Sequence, residues 1–367
     1  MRLRKLGDRE ADLATEVSSE RGISFSLVEK DAHVADAVRL VCRLGITEDG
    51  VRTIFCGGTC LSQAYGILER ISEDADFKVV LPDGLSRSQS KKRLSALKHR
   101  VISGMEEAGF GLAERSLRAR NENRYITAEF EYATDYTADG SMRGEPIKVE
   151  LTTNNDLLDK TETRPLLRII DRHGGPDARG LADTTPVEVI GLAGTMAEKT
   201  VAYLRRTAQW RAGLNRGEYD EYLIRHVYDV GRLVDVDSGI RDRVAPILAG
   251  VVRRDAQQFR NQFPQFAEEN PYDILRDELF ALRDDPDARQ RYRDFLMPMV
   301  YSRDKPGFKE ASDSFIQVVA DILEQAERFS FERDDGRGSA PLSGPPSEGG
   351  DGEDDDNGGA PASPMTP

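Results

Sequence analysis

The chain has 367 residues, enough for two domains with cores of their own, and 32% of them are charged while 7% are aromatic. It has no apolar run long enough for a membrane helix and no leader pattern at Met1-Arg2-Leu3-Arg4, which argues against a helical membrane protein and for a cytoplasmic one. The cysteines Cys42, Cys56 and Cys60 are odd in number and lack a nearby histidine, so neither a disulfide framework nor a zinc site is expected. The net charge of −14 is unevenly spread: from Asp334 to Pro367 eight acidic residues face one basic, leaving −7 for the first 333. Nucleic acid is therefore not excluded as a partner.

Residues 1–21 are polar and charged with no sustained period, which predicts a mobile arm or a frayed helix. Val28, Ala32, Ala35, Val38 and Val41 recur at helical spacing and predict an amphipathic helix ending near Gly45. Val51 to Cys56 is an apolar run that closes on Gly57-Gly58-Thr59, and Leu61, Ala64, Tyr65 and Leu68 follow. That pattern predicts a strand, a tight turn and a helix capped by Thr59. Such a turn lets backbone N–H groups approach an anion, although a plain turn has the same sequence.

From Asp74 the chain alternates, with Ala75, Phe77, Val79 and Leu81 on one face and Asp74, Asp76 and Lys78 on the other. Two carboxylates two apart on a strand repel unless a cation relieves them; the plainer reading is a solvated acidic strand edge. After the turn at Pro82-Asp83-Gly84, residues 87–108 read as a helix. Leu94, Leu97, Val101 and Met105 lie on its apolar side, and Arg87, Lys91, Lys92, Arg93, Lys98 and Arg100 make a basic stripe, either a nucleic-acid footprint or a solvated face.

Gly111–Leu117 and Arg124–Tyr132 read as antiparallel strands, with Arg115, Arg118, Arg120 and Arg124 around their connection. Ile147–Leu151 alternates so that Lys148 and Glu150 share a face. If that strand lies beside the Asp74 strand, Glu150 becomes a third carboxylate, as two-metal phosphoryl transfer needs. Residues 161–186 read as a connection leading to a helical region over 187–333.

There, Lys199 follows Glu198 on a helix, and Arg205, Arg206, Arg211 and Arg216 surround Trp210. Arg225 and Asp229 stand four apart, the spacing of an intrahelical pair, with His226 between them read as a neutral surface histidine. Further helices are predicted over 240–252, 255–263, 271–283, 287–297 and 312–329. The Gly-, Ser-, Pro- and Asp-rich tail, 334–367, is too poor in apolar residues to fold and is expected to be disordered.

The string Gly57-Gly58-Thr59, a helix, then Arg70, Ser72, Glu73, Asp74, Asp76 and Phe77 resembles the AbiEii/AbiGii nucleotidyltransferase toxins, relatives of the MenT toxins in the DNA polymerase β superfamily. The resemblance covers roughly residues 22–235. Glu29-Lys30-Asp31, the K-x-E string at Lys148 and Glu150, Glu198-Lys199 and Arg225-His226-Val227-Tyr228-Asp229 match further motifs.

The resemblance implies an α/β (α+β) fold: a polymerase-β-like nucleotidyltransferase domain with a mixed sheet over 22–160, followed by a C-terminal helical domain. It implies that Asp74, Asp76 and Glu150 bind Mg²⁺ or Mn²⁺, that Gly57, Gly58, Thr59, Ser62, Lys199 and Arg225 bind the nucleoside triphosphate, and that Asp229 organises or activates the acceptor hydroxyl. By the same resemblance the chain is the toxin of a toxin–antitoxin or phage-defence pair, with an antitoxin as partner and a tRNA 3′ end as acceptor. Cys56 and Gln63 stand where the family often has lysines, a loss of positive charge near the phosphates. A protein-modifying or antibiotic-modifying transferase and a catalytically inactive nucleotide or RNA binder are the alternative readings.

Overall fold

The computed structural model describes residues 3–134, 145–153, 157–178, 180–215, 217–237 and 239–334; Arg216 and the acidic tail beyond residue 334 lie outside them. Alternating sequence becomes sheet where it is expected. The strands are β1 (Arg52–Cys56), β2 (Asp74–Val80), β3 (Gly111–Leu112), β4 (Arg118–Arg120), β5 (Tyr125–Glu131), β6 (Ile147–Thr153), β7 (Thr161–Pro165) and β8 (Pro186–Ile190). They form one mixed sheet in the order β3-β5-β6-β2-β1-β8-β7, with β4 paired to β5. β2 runs parallel to β6 and antiparallel to β1, and β1 runs parallel to β8.

One set of alternate positions makes the core. Ala75, Phe77 and Val79 of β2, Val149 and Leu151 of β6, and Ala128 and Phe130 of β5 join an apolar cluster. Helix α2 (Phe25–Gly45) adds Val34, Val38 and Val41 to it, and the Arg87–Glu107 helix adds Leu94, Leu97, Val101 and Met105. Each large side chain so buried stabilises the fold by roughly 1.5–3 kcal/mol. The other face of β2 and β6 is left to polar side chains.

The chain divides into two compact units, Met1–Thr195 with Met297–Pro306, and Met196–Leu296 with Gly307–Pro367. In the first, the late segment returns to the site's own approach: Arg70 bridges to Val300, the Ile71 N–H donates to the Met299 carbonyl at 2.9 Å, and the Tyr301 N–H donates to the Glu69 carbonyl at 3.0 Å. The second unit is helical, built on the Arg225–Val236, Ile240–Gln258, Pro271–Ala281 and Phe308–Asp334 helices and most of the Leu192–Arg211 helix. Its core includes an edge-to-face pair of Tyr203 and Phe315 at 5.7 Å. Among the described residues no helix is long and apolar enough to cross a membrane.

Four expectations are corrected. The stretch read as a mobile arm or a frayed helix contains the packed helix α1 (Asp8–Arg21): Ala14 and Val17 are small enough to hide their face among charged neighbours, yet they pack with Val28, Ala32 and Ile170. The 161–186 stretch is not a bare connection, because β7 and β8 form an antiparallel pair at the sheet's edge and β8 pairs with β1. Gly111–Leu117 yields only the two-residue β3, since Arg115 takes a left-handed φ of 58° that breaks the strand. The helix expected over 255–263 is instead the end of Ile240–Gln258, which accommodates Pro246 in its second turn.

Candidate active site

The polar face of β2 and β6 carries a quartet of charges. In the parallel ladder Asp74 is the partner of Lys148 and Asp76 the partner of Glu150. In-register residues of neighbouring strands project to the same face, and the intervening Ala75, Phe77, Val149 and Leu151 are buried, so all four charged side chains lie on the opposite, half-buried face. β6 thus lies beside β2, the arrangement that makes Glu150 a neighbour of Asp76.

Glu150 has two partners close by. The Tyr125 hydroxyl donates to its Oε2 at 3.0 Å and Lys148 Nζ approaches the same oxygen at 3.4 Å. Burial and the adjacent Glu150 push the Tyr125 phenol up to about 12, so it remains a proton donor at neutral pH. Burial works against the Lys148 ammonium, but the Glu150, Asp74 and Asp76 carboxylates outweigh it and hold its pKa above the ordinary value. Sequence analysis did not single out Lys148 or Tyr125 as site residues; a lysine two before a candidate ligand on a strand was the available signal for the first.

The Gly57-Gly58 turn closes one side of the quartet. Cys56 at the end of β1 is the ladder partner of Asp76, and the chain then enters eight helical residues, Gly57–Thr59 and Cys60–Ala64. Both glycines are required by close approach: a Cβ on Gly57 would stand 2.3 Å from Asp76 Oδ2, and one on Gly58 2.7 Å from Arg70 Nη2 and 3.0 Å from Ser72 Oγ. Gly57 also has φ +79°, a left-handed conformation. Arg70, buried beneath this turn, is a further residue at the site; it stands in the motif string but drew no role from sequence.

Thr59 does not cap the helix. It lies inside it, its hydroxyl donating to the Asp74 carbonyl at 2.5 Å and hydrogen-bonded to Ser72 Oγ at 2.9 Å, while the Ser62 hydroxyl donates to the Thr59 carbonyl at 3.0 Å. Both hydroxyls are buried and serve the turn, as buried polar groups must. Backbone groups of Gly57 and Gly58 are what the turn offers an anion. Gln63, where a lysine was missed, is fully buried and donates to Asp31 Oδ1 at 2.8 Å, so its position faces α2 and not a phosphate.

In the second unit Lys199 Nζ donates to Asp229 Oδ2 at 2.8 Å, with the Asp229 side chain wholly enclosed. The Arg225 Nε donates to the Tyr222 carbonyl at 3.0 Å, and its guanidinium lies 5.2 Å from the Tyr222 ring centre. His226 is no free surface histidine: burial, reinforced by Lys199, drives its pKa well below the ordinary value and keeps it neutral.

The second basic patch is largely neutralised, with Arg205 paired to Asp255, Arg206 to Asp220, and Arg211 to Glu278 and Asp285. In the stripe on the Arg87–Glu107 helix, Arg87 pairs with Glu122 and Arg93 with Asp49.

Residues 39–314 match the family model described as nucleotidyl transferase AbiEii toxin, type IV toxin–antitoxin system. The chain belongs to that family. It is a nucleotidyltransferase toxin of a type IV toxin–antitoxin system. No curated protein matches it in sequence. Among solved structures it is similar to MenT4, a nucleotidyltransferase toxin from Mycobacterium tuberculosis H37Rv, at 18% identity and a TM-score of 0.47, over 88% of this chain and 97% of that one.

Nucleotidyltransferases of this kind act on a nucleoside triphosphate with a divalent metal ion, and the donor chemistry here fits: two aspartates and a glutamate on adjacent strands beside a glycine turn. Among the described residues no three His, Cys, Asp or Glu side chains are yet gathered to hold an ion. The toxin instead sets Lys148 against Glu150, in ladder register with Asp74.

Proposed function

We propose that this toxin transfers a nucleotide from a nucleoside triphosphate to an acceptor hydroxyl, with a tRNA 3′ end as the acceptor. The observation that carries the reading is the ladder register, which puts Asp76 beside Glu150 and two residues from Asp74, against a turn that admits no Cβ. Asp74, Asp76 and Glu150 hold Mg²⁺ or Mn²⁺, which when bound supplies Lewis-acid activation of the hydroxyl and neutralises triphosphate charge.

The Gly57 and Gly58 backbone cradles the phosphates, with Thr59 and Ser62 fixing the turn's shape from within. Lys199 and Arg225 supply positive charge to the triphosphate. Asp229, enclosed and bonded to Lys199, positions that ammonium and with it the acceptor hydroxyl. The acceptor hydroxyl releases its proton to water as its oxygen forms the new bond to the α-phosphorus and the bond to pyrophosphate breaks, the electron pair leaving with pyrophosphate.

The test is to incubate the protein with Mg²⁺, total tRNA and each labelled nucleoside triphosphate in turn, beside Asp74→Ala/Asp76→Ala. Label on tRNA that vanishes in the variant supports the reading and names the base; tRNA left unlabelled by all four overturns the tRNA acceptor. The carboxylate-paired arginines at 205, 206 and 211 favour one second reading, a protein or small-molecule acceptor, which label appearing there would support.

A further inference from the structure

The metal-binding reading leaves one group unexplained. A lysine whose side chain is 41% exposed, free to reach into water, is turned onto Glu150, a carboxylate that the reaction needs for another purpose. Lys148 is the ladder partner of Asp74, shares a strand face with Glu150, and approaches Glu150 Oε2 at 3.4 Å. Glu129 of β5 is the ladder partner of Lys148 on its other side, so acidic side chains flank the lysine on three strands.

Like charges two residues apart on one strand repel, and here the compensating charge belongs to the protein itself. A monovalent ammonium satisfies part of that demand. A divalent ion on the same carboxylates satisfies it fully and then stands next to a cation.

We propose that Lys148 is a resident counter-ion of the site, which holds Glu150 in place beside Asp74 and Asp76 before the metal arrives and must swing off it when the metal binds. This rests on the metal-binding reading given above. Lys148 is thus a positioning residue that sets the affinity of the bare site for metal, and its released ammonium becomes available to the incoming triphosphate. The site binds metal weakly alone and tightly only with nucleotide, whose negative charge takes over the lysine.

The experiment is a Mn²⁺ titration followed by electron paramagnetic resonance, without and with a nucleoside triphosphate, on the full chain, Lys148→Gln, Lys148→Arg and Asp74→Asn/Asp76→Asn. Removing a unit charge at this range is expected to tighten nucleotide-free Mn²⁺ binding on the order of tenfold in Lys148→Gln. Lys148→Arg keeps the charge and should bind as the unaltered chain does, and the double aspartate variant should not bind. Equal or weaker binding in Lys148→Gln overturns the counter-ion role while leaving the metal site standing. Absence of binding in every form, with nucleotide present, overturns the metal reading and this proposal with it.

A measurement on the unaltered chain guards against a variant that fails to fold. The acylation rate of the Lys148 amine, read by peptide mass spectrometry, should rise severalfold when Mg²⁺ and nucleotide-free conditions are compared with metal-free ones. An unchanged rate at Mg²⁺ concentrations shown to saturate the site would mean that the lysine does not move.

Discussion

The two ionic centres of this toxin teach opposite lessons. On the β2–β6 face three carboxylates lie half-buried on one side of the sheet, with a lysine that reaches Glu150. In the second unit Lys199 is bonded to Asp229, with exposures of 9% and 0%. An accessible cluster of like charges still has charge to offer a ligand, whereas an enclosed ion pair is costly to break. The first is built to receive something, the second to hold a helix and its lysine in a fixed pose.

Breaking the first centre should show in chemistry. Asp76→Asn is expected to lower nucleotidyl transfer about 10³-fold with little change in melting temperature, measured with labelled nucleoside triphosphate. Breaking the second should show in stability. Lys199→Met strands a buried carboxylate and should cost roughly 3–5 kcal/mol in urea unfolding, much of which the double change Lys199→Met/Asp229→Leu restores. If the single variant were as stable as the parent, the pair would not be enclosed in solution and the contrast would fail.

Gly57→Ala sits between the two behaviours. Its Cβ meets Asp76 and its φ is unfavourable, so a loss of roughly 1–3 kcal/mol together with a drop in transfer rate is expected. A pH-dependent effect concerns His33, buried beside Tyr132 with ring centres 4.2 Å apart and no hydrogen-bond partner on either nitrogen. Burial pushes its pKa down from 6.5 to about 3, so the folded chain disfavours its protonation. The stability this confers is complete above 6.5 and is lost as pH falls from there towards about 3. His33→Phe should flatten that part of the melting-temperature profile, compared between pH 7 and pH 4.

The sheet and the acids were legible because period-2 alternation at 74–81 and 147–151 is unambiguous, and because a polar residue at every second place survives in the structure as one face. The pairing of β2 with β6 was stated as a condition, and the ladder meets it. What escaped depended on partners distant in sequence. Nothing near Lys148 reveals that Asp74 stands across from it, and Gln63 reads as a missing phosphate contact until Asp31 is seen beneath it. The helix at 8–21 escaped because two small side chains make a core contact without making a pattern. Thr59 was misread as a cap because Cys56, with no capping side chain, holds that place.

The return of Met297–Pro306 to Glu69, Arg70 and Ile71 has a consequence in time. During synthesis the strand carrying the aspartates leaves the ribosome more than two hundred residues before the segment that braces the loop leading into it. The catalytic unit is thus finished only when four-fifths of the chain exists, and a truncated product of this toxin gene lacks the brace. The Phe308–Asp334 helix follows directly on that brace in the chain.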